Sequence, residues 1–377
     1  MSSKSHPSPP SSAGTNNRFA DALRVLHEAI AARAFPGCAF GVLVEGKVVL
    51  EGALGRFTYG GDAPAVAAET VYDVASLTKV VATTAAAMLL VQRGLLKLET
   101  PLGEILPDFV AGRAPEDLAR IVTLQHLLAH NSGLPGYVEF FRTASTPVAL
   151  LRACLELSLQ GAPGTRAEYS DPGFILLGKA LEVLIGEDLA AWTHREIFQP
   201  LGMTATGFCP SPGIRSAIPP TEDDTTFRHR RIQGEVQDEN AWVLGGIAGH
   251  AGLFSNVHDL LRFAGAITGS AEFAGSDLYP SRFDSGMLER FAERQPPKGS
   301  SRALGWDTPS EPSSAGEYFS RRSIGHLGYS GCSLWMDLDA AVAVALLTNR
   351  TWPDRKSQMI REVRPAFHEA VCKSIIR

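Results

Sequence analysis

Cysteine is scarce and forms no pattern: Cys38, Cys154, Cys209, Cys332 and Cys372 are odd in number, far apart and free of any C-x-x-C pair. Neither a disulfide framework nor a zinc site follows from such spacing, and the thiols read as those of a reducing compartment. A basic excess is missing too, because 35 Lys and Arg face 40 Asp and Glu, for a formal net charge of −5. That balance leaves no positive field for wrapping nucleic acid. No uninterrupted apolar run approaches the length of about 18 residues that a membrane span needs. The closest follows Lys79 and is broken by Thr83, Thr84 and Gln92, so no span is expected. Residues 1–17 are rich in Ser and Pro and lack the apolar core of a secretory signal, which points to a disordered tail and a cytoplasmic protein. No repeat at a period of about 20 to 50 residues is visible, which removes the solenoid class.

What remains is a globular composition, 45% hydrophobic and 20% charged over 377 residues, enough for two or so packed units. Phe19, Leu23, Leu26, Ile30 and Ala31 recur near a 3.6 period and predict a first helix that Pro36 and Gly37 stop. Cys38–Val44 and Lys47–Leu50, joined by Glu45-Gly46, predict a β-hairpin. The far end mirrors this arrangement, with strand-like runs Ser333–Asp337 and Ala341–Thr348 and then a helix over Arg355–Ile376 that Pro365 should kink or break. Residues 18–75 and 321–377 are therefore expected to build one discontinuous α/β unit around an antiparallel sheet. Residues 76–320 would form an inserted, mainly helical unit, with helices over Ser76–Arg93, Thr123–His130, Val148–Leu157, Pro172–Ile185 and Leu189–Ile197. The stretches Cys209–Asn240 and Gln295–Ser320 are crowded with Pro, Gly, Ser and charge, and loops that long often wall a pocket.

Ser76-Leu77-Thr78-Lys79 at the mouth of the apolar helix carries the sharpest chemical signal. Positions i and i+3 share a helix face, so the Ser76 hydroxyl and the Lys79 amine fall within hydrogen-bond reach. The helix dipole and burial should both lower the Lys79 pKa, leaving an amine able to take the Ser76 proton, while the Ser76 N–H offers half of an oxyanion hole. A capping Ser and a solvated Lys are the plain alternative. Tyr169-Ser170-Asp171 precedes another helix, with Asp171 read as N-cap, Pro172 at N1 and Tyr169 as a possible proton relay. Gly325-His326-Leu327-Gly328-Tyr329-Ser330-Gly331 enters a strand with the glycine density that lets backbone N–H groups approach a ligand, or simply makes a turn.

In order and approximate spacing these three motifs resemble the S-x-x-K, Y-x-N and K-T-G motifs of the serine β-lactamase and penicillin-binding-protein superfamily. The branch most resembled is the class C β-lactamase-like one, with its family VIII carboxylesterases, DD-peptidases and D-aminopeptidases, over roughly Phe19 to the C-terminus. The resemblance implies a β-lactamase/transpeptidase-like fold, Ser76 as acylated nucleophile, Lys79 as its base, and Tyr169 as proton relay. It implies the Ser76 and Tyr329 N–H groups as oxyanion hole, with no cofactor and no metal. His326 stands in the place of the Lys of K-T-G and Asp171 in that of the Asn of Y-x-N. A neutral His and an acceptor-only carboxylate disfavour β-lactam turnover and favour esters or peptide-like amides.

Asp238-Glu239-Asn240-Ala241 and the run Gly245–Ser255, with Thr348-Asn349-Arg350, look like a subgroup linked to peptidoglycan turnover. Exo-acting N-acetylmuramyl-L-alanine amidases and carboxypeptidases belong to it, so the partner would be a muropeptide or another small ester or amide. His250 then lines a subsite or sits in the core, and Gly328, Asp171 and Tyr137, the last in the loop Gly136–Thr146, count among the substrate-binding residues. A monomer is the default. A lipase is disfavoured because Gly328-Tyr329-Ser330-Gly331-Cys332 lacks the closing Gly of the nucleophile elbow. A metalloprotease is disfavoured because His126 and His130 lack the adjoining Glu, and both read as surface or core histidines. A catalytically weak relative that binds or senses such ligands is the non-enzyme alternative.

Overall fold

The computed structural model describes residues 18–269 and 282–376; the expected N-terminal tail lies outside them. The described strands are β1 (Gly37–Val44), β2 (Lys47–Gly55), β3 (Tyr72–Asp73), β4 (Gly207–Phe208), β5 (Glu222–Asp224), β6 (Arg230–Ile232), β7 (Leu253–Ser255), β8 (Ile324–Leu327), β9 (Ser333–Asp337) and β10 (Val342–Thr348). Five make one antiparallel sheet in the order β2-β1-β10-β9-β8, in which β1 runs beside β10 with Cys38 opposite Thr348. The two ends of the chain thus meet in the middle of the sheet. The predicted hairpin is present, with positive φ at both Glu45 and Gly46, as a two-residue turn between twisted strands requires.

Helices cover both faces of this sheet. On one face the helices Ala20–Ala31 and Ile360–Ile376 bury Leu26, Phe367 and Val371 against Phe40, Val42 and Val344. On the other lies Val257–Thr268, a helix outside those expected from the sequence, whose Val257 and Leu261 approach so closely that a Cβ on Gly41 would stand 2.5 Å from Val257 Cγ1. Burial on both faces explains why β1 and β10 read as unbroken apolar runs rather than alternating ones. The last helix begins at Ile360 rather than Arg355 and continues through Pro365, its sixth residue. The missing proline N–H costs one backbone hydrogen bond without ending the helix.

The rest of the chain supplies a second layer. The apolar segment expected as a single helix is a 3-10 turn (Ala75–Leu77), a π-helical stretch (Lys79–Thr84) and an α-helix (Ala85–Gln92), followed by Gly94 at φ 69°. Over Ala75–Gln92 it is long and apolar enough to cross a membrane by length and composition, but 83% of it is buried within the protein, as in a core helix. Around it pack Leu124–Leu128, Pro147–Leu155, Asp171–Ile185 and Leu189–Thr193. The stretch Cys209–Asn240 is not all loop: it holds the hairpin β5–β6, and β4 joins the small sheet β3-β7-β4. Strands of two or three residues are too short to leave a periodic trace in sequence.

Candidate active site

The segment entering the core helix is built around Asp73. Its carboxylate accepts from the Ala75 N–H at 2.8 Å and the Gln237 N–H at 2.7 Å, and burial pushes its pKa up to about 6. Ala75 sits at φ 48°, a turn that hands the chain to the 3-10 segment carrying Ser76. Thr78 fixes the far side, donating to the Ala75 carbonyl at 2.6 Å and accepting from the Leu253 N–H at 3.0 Å.

One turn on, Lys79 is fully buried, and its Nζ donates to Ser76 Oγ at 3.1 Å, Asp171 Oδ1 at 2.6 Å and the His250 carbonyl at 3.0 Å. An ammonium has three N–H donors, and here each has an acceptor. The expectation of a lowered Lys79 pKa is therefore reversed. Burial does push it down, but the charges of Asp171 and Tyr169 and their hydrogen bonds outweigh burial, and the net direction is up. The dipole and desolvation act within the local segment, whereas the deciding carboxylate comes from 92 residues away.

Asp171 is free to play that part because it is not the N-cap. Ser170 caps the helix Asp171–Ile185, its Oγ accepting from the Gly173 N–H at 3.0 Å, which places Asp171 in the first turn with Pro172 behind it. Tyr169, just before the cap, lies against the same lysine, its ring centroid 4.8 Å from Lys79 Nζ; burial raises its pKa, against the pull of Lys79. His130 backs this tyrosine, with its ring centroid 4.7 Å from Tyr169 and 4.8 Å from Phe174. Its Nδ1 accepts from the Ser170 N–H at 3.0 Å, and burial holds its pKa well below the ordinary histidine value. Of the two histidines weighed as metal ligands, His130 thus packs in the core and His126 caps Leu124–Leu128 together with Thr123.

The third motif closes the site from β8. His326 Nδ1 lies 2.8 Å from the Leu327 carbonyl, an acceptor, so Nδ1 carries the proton. Burial, then the charges of Lys79 and Arg302, hold its pKa well below the usual value, and the ring is neutral 5.7 Å from that of Tyr169. The loop after it is clamped by two arginines outside the expected site. Buried Arg364 donates to the carbonyls of Gly328, Gly331 and Cys332, and Arg350 Nε to that of Tyr329 at 2.8 Å. Gly331, at φ 106°, could carry no side chain, since its Cβ would stand 1.9 Å from Thr348 Oγ1. Tyr329 itself is half exposed, with the Arg350 guanidinium 4.3 Å from its ring centroid.

Ser76, Tyr169, Asp171, His326, Gly328, Tyr329 and Tyr137 all line one cleft of about 790 Å³. His250 is buried behind it, its ring Nε2 2.9 Å from Asp238 Oδ1 and its carbonyl on Lys79. Asp238 lines the cleft; burial would raise its pKa, but His250 and its hydrogen bonds bring it below the usual carboxylate range. Both stretches read as pocket walls contribute, Cys209–Asn240 through Thr226 and Asp238, and Gln295–Ser320 through Arg302 and Asp307. The second wall is seated on Gly305, at φ 81°, whose N–H donates to the Leu128 carbonyl at 2.8 Å and whose Cβ would stand 2.0 Å from Thr84 Oγ1. Gly305→Ala is accordingly expected to cost about 2 kcal/mol through overpacking and backbone strain, read as a drop in Tm in a thermal melt; an unchanged Tm would contradict this seating.

Residues 22–365 match the family model described as Beta-lactamase. The chain belongs to the β-lactamase family. Among curated relatives in this family, an N-acetylmuramyl-L-alanine amidase of Bacillus subtilis (strain 168) is 29% identical over 354 residues, 85% of this chain and 78% of that protein. A protein of Salmonella agona (strain SL483), named provisionally as a D-alanyl-D-alanine carboxypeptidase, is 28% identical over 313 residues, 74% of this chain and 69% of the relative. Of solved structures, EstCE1, titled a hydrolase with promiscuous acyltransferase activity, superposes with a TM-score of 0.73 at 20% identity, covering 95% of this chain and all of EstCE1. That likeness establishes the β-lactamase/transpeptidase-like fold of antiparallel sheet and helices.

Proposed function

We propose that this protein is a serine hydrolase that acts on an ester or amide through an acyl-enzyme on Ser76. The observation that carries this reading is the cluster on the cleft floor, with Lys79 Nζ 3.1 Å from Ser76 Oγ and 2.6 Å from Asp171, and with the Tyr169 ring centroid 4.8 Å from the same Nζ in the same cleft. Ser76 Oγ attacks the substrate carbonyl as its proton passes into the cluster, and the Ser76 and Tyr329 N–H groups receive the developing oxyanion. Tyr169 then delivers a proton to the leaving group; water reverses these roles to release the acid and regenerate Ser76. With Lys79 held as an ammonium at rest, the cluster has one proton too many to accept that of Ser76, so the active form is the one that has lost it.

Intact-protein mass spectrometry after treatment with a fluorophosphonate tests the nucleophile: one adduct on the wild type, none on Ser76→Ala. An unlabelled wild type that also leaves p-nitrophenyl butyrate intact would favour a ligand-binding relative and end the enzyme reading. Nitrocefin turnover is expected about two orders of magnitude below that of a dedicated β-lactamase, because neutral His326 and carboxylate Asp171 change the proton handling and charge beside Ser76. A rate matching such an enzyme would refute this. The names of the curated relatives favour peptidoglycan fragments as a second substrate class, so muramyl-L-alanine peptides and D-alanyl-D-alanine peptides belong in the same assay.

A further inference from the structure

Asp73 is a buried carboxylate that the proton-transfer cluster leaves unused. It closes β3, is 2% exposed, and has no ion pair among the described residues. Arg228 and Asp238 are the charges that face it, with opposite effects, and burial outweighs its two hydrogen bonds, so the pKa is raised to about 6. Holding a charge there without a cation partner costs stability. Set against that cost are contacts from three sides of the cleft. One carboxylate oxygen accepts from the Ala75 N–H at 2.8 Å and the other from the Gln237 N–H at 2.7 Å, while the Asp73 carbonyl accepts from Ser330 Oγ at 2.8 Å. Ala75 precedes Ser76, Gln237 precedes Asp238, and Ser330 follows Tyr329.

These contacts start from fixed points. Asp73 pairs with Phe254 of β7, and the next N–H, that of Val74, donates to the Leu253 carbonyl at 3.1 Å. Ser330 is fully buried, and its own carbonyl accepts from the Arg350 N–H at 2.9 Å and from Thr348 Oγ1 at 3.2 Å. Gly328 lies so close to the Asp73 segment that a Cβ would stand 2.5 Å from the Val74 carbonyl oxygen. Ala75, at φ 48°, is in the left-handed region that a residue with a side chain enters at a cost, so its N–H needs a firm acceptor to keep that turn.

We propose that Asp73 is a positioning residue that sets the spacing of the oxyanion hole, placing the Ser76 N–H through Ala75 and the Tyr329 N–H through Ser330. Two N–H donors stabilise an oxyanion only when both point at the place it will occupy, so a displaced donor slows the reaction more than it weakens substrate binding. The proposal rests on the reading of Ser76 as nucleophile, and its test separates the two. The measured quantities are kcat and KM for p-nitrophenyl butyrate and Ki for n-butylboronic acid, whose tetrahedral serine adduct would carry an oxygen at the oxyanion position. Asp73→Asn and Ser330→Ala are each expected to lower kcat about tenfold or more and to raise Ki similarly, with KM changed less than about twofold. A residue that merely supports the fold would lower Tm and leave kcat and Ki of the folded enzyme unchanged. That outcome, or a loss carried by KM, overturns the proposal. If Asp73→Asn does not fold, Ser330→Ala decides by the same readout. If the wild type neither cleaves the ester nor binds the boronate, the Ser76 reading fails. Hydrogen exchange then decides on Asp73: exchange about tenfold faster over residues 75–77 in Asp73→Asn and over residues 328–331 in Ser330→Ala supports it, and unchanged rates overturn it.

Discussion

Ser76→Ala is expected to reduce turnover of ester and amide substrates by about 10⁴-fold or more, because among the described residues Ser76 carries the one aliphatic hydroxyl that Lys79 hydrogen-bonds in the cleft. The fold should survive the change. Ser76 Oγ takes one of the three hydrogen bonds donated by buried Lys79, so the variant leaves one ammonium N–H without an acceptor, at a cost of about 1–3 kcal/mol. The measurement is kcat/KM beside a thermal melt: activity at the background of the uncatalysed reaction, with a Tm lowered by a few degrees. A variant that keeps more than a few per cent of wild-type turnover would show that the nucleophile lies elsewhere, and the reading of the cleft would have to be abandoned.

The second large effect belongs to the Lys79–Asp171 pair. Lys79→Met is expected to cost about 10³-fold in kcat/KM, in the range typical of a lost proton-transfer group. It also strands Asp171, whose side chain is 16% exposed, with an estimated penalty of about 2–3 kcal/mol, toward the low end for a broken buried pair. Asp171→Asn separates chemistry from packing. Burial pushes the Lys79 pKa down, and the charges and hydrogen bonds of Asp171 and Tyr169 hold it up. Without the carboxylate the burial effect gains, so Lys79 gives up its proton at lower pH. The rising acid limb of the kcat/KM profile is therefore expected to move to lower pH in Asp171→Asn than in the wild type. A limb that stays in place, or moves to higher pH, would show that Lys79 is not the group whose deprotonation activates Ser76. The linkage to stability has a defined sign as well. Because the folded pKa of Lys79 lies above its unfolded value, the pair stabilises the fold fully below the unfolded pKa, and that contribution fades as pH rises through the folded one.

Much of the architecture was readable because its signals are local. The Glu45-Gly46 turn, the apolar runs of β1 and β10 and the Gly after the core helix each depend on a few neighbouring residues. Ser76 and Lys79 were readable for the same reason, being one helical turn apart. What escaped depends on contacts distant in sequence. Asp171 reads as a cap in sequence, but Ser170 takes that role, which leaves the Asp171 carboxylate free to reach Lys79. The direction of the Lys79 pKa followed from that single partner. Arg302 lies in a stretch recognised as a pocket wall by composition, but nothing in a run of Pro, Ser and Arg says which guanidinium will meet Tyr169. Arg364 reads as one more charged residue on an amphipathic helix, and its clamp on the loop of residues 328–332 exists only once the chain ends have met.

That meeting of the ends has a consequence for how the protein comes into being. Synthesis releases Ser76, Lys79 and Asp171 early, but β1, already paired with β2, finds its second neighbour only when β10 has emerged, and the Tyr329 loop is held by Arg364, which follows later still. Pairings so far apart in sequence form late, since closing the intervening loop must precede any gain from the contact. A nascent chain therefore carries Ser76, the proposed nucleophile, without the loop that would stabilise an oxyanion beside it. The cleft proposed for hydrolysis is assembled only after Arg364 has emerged.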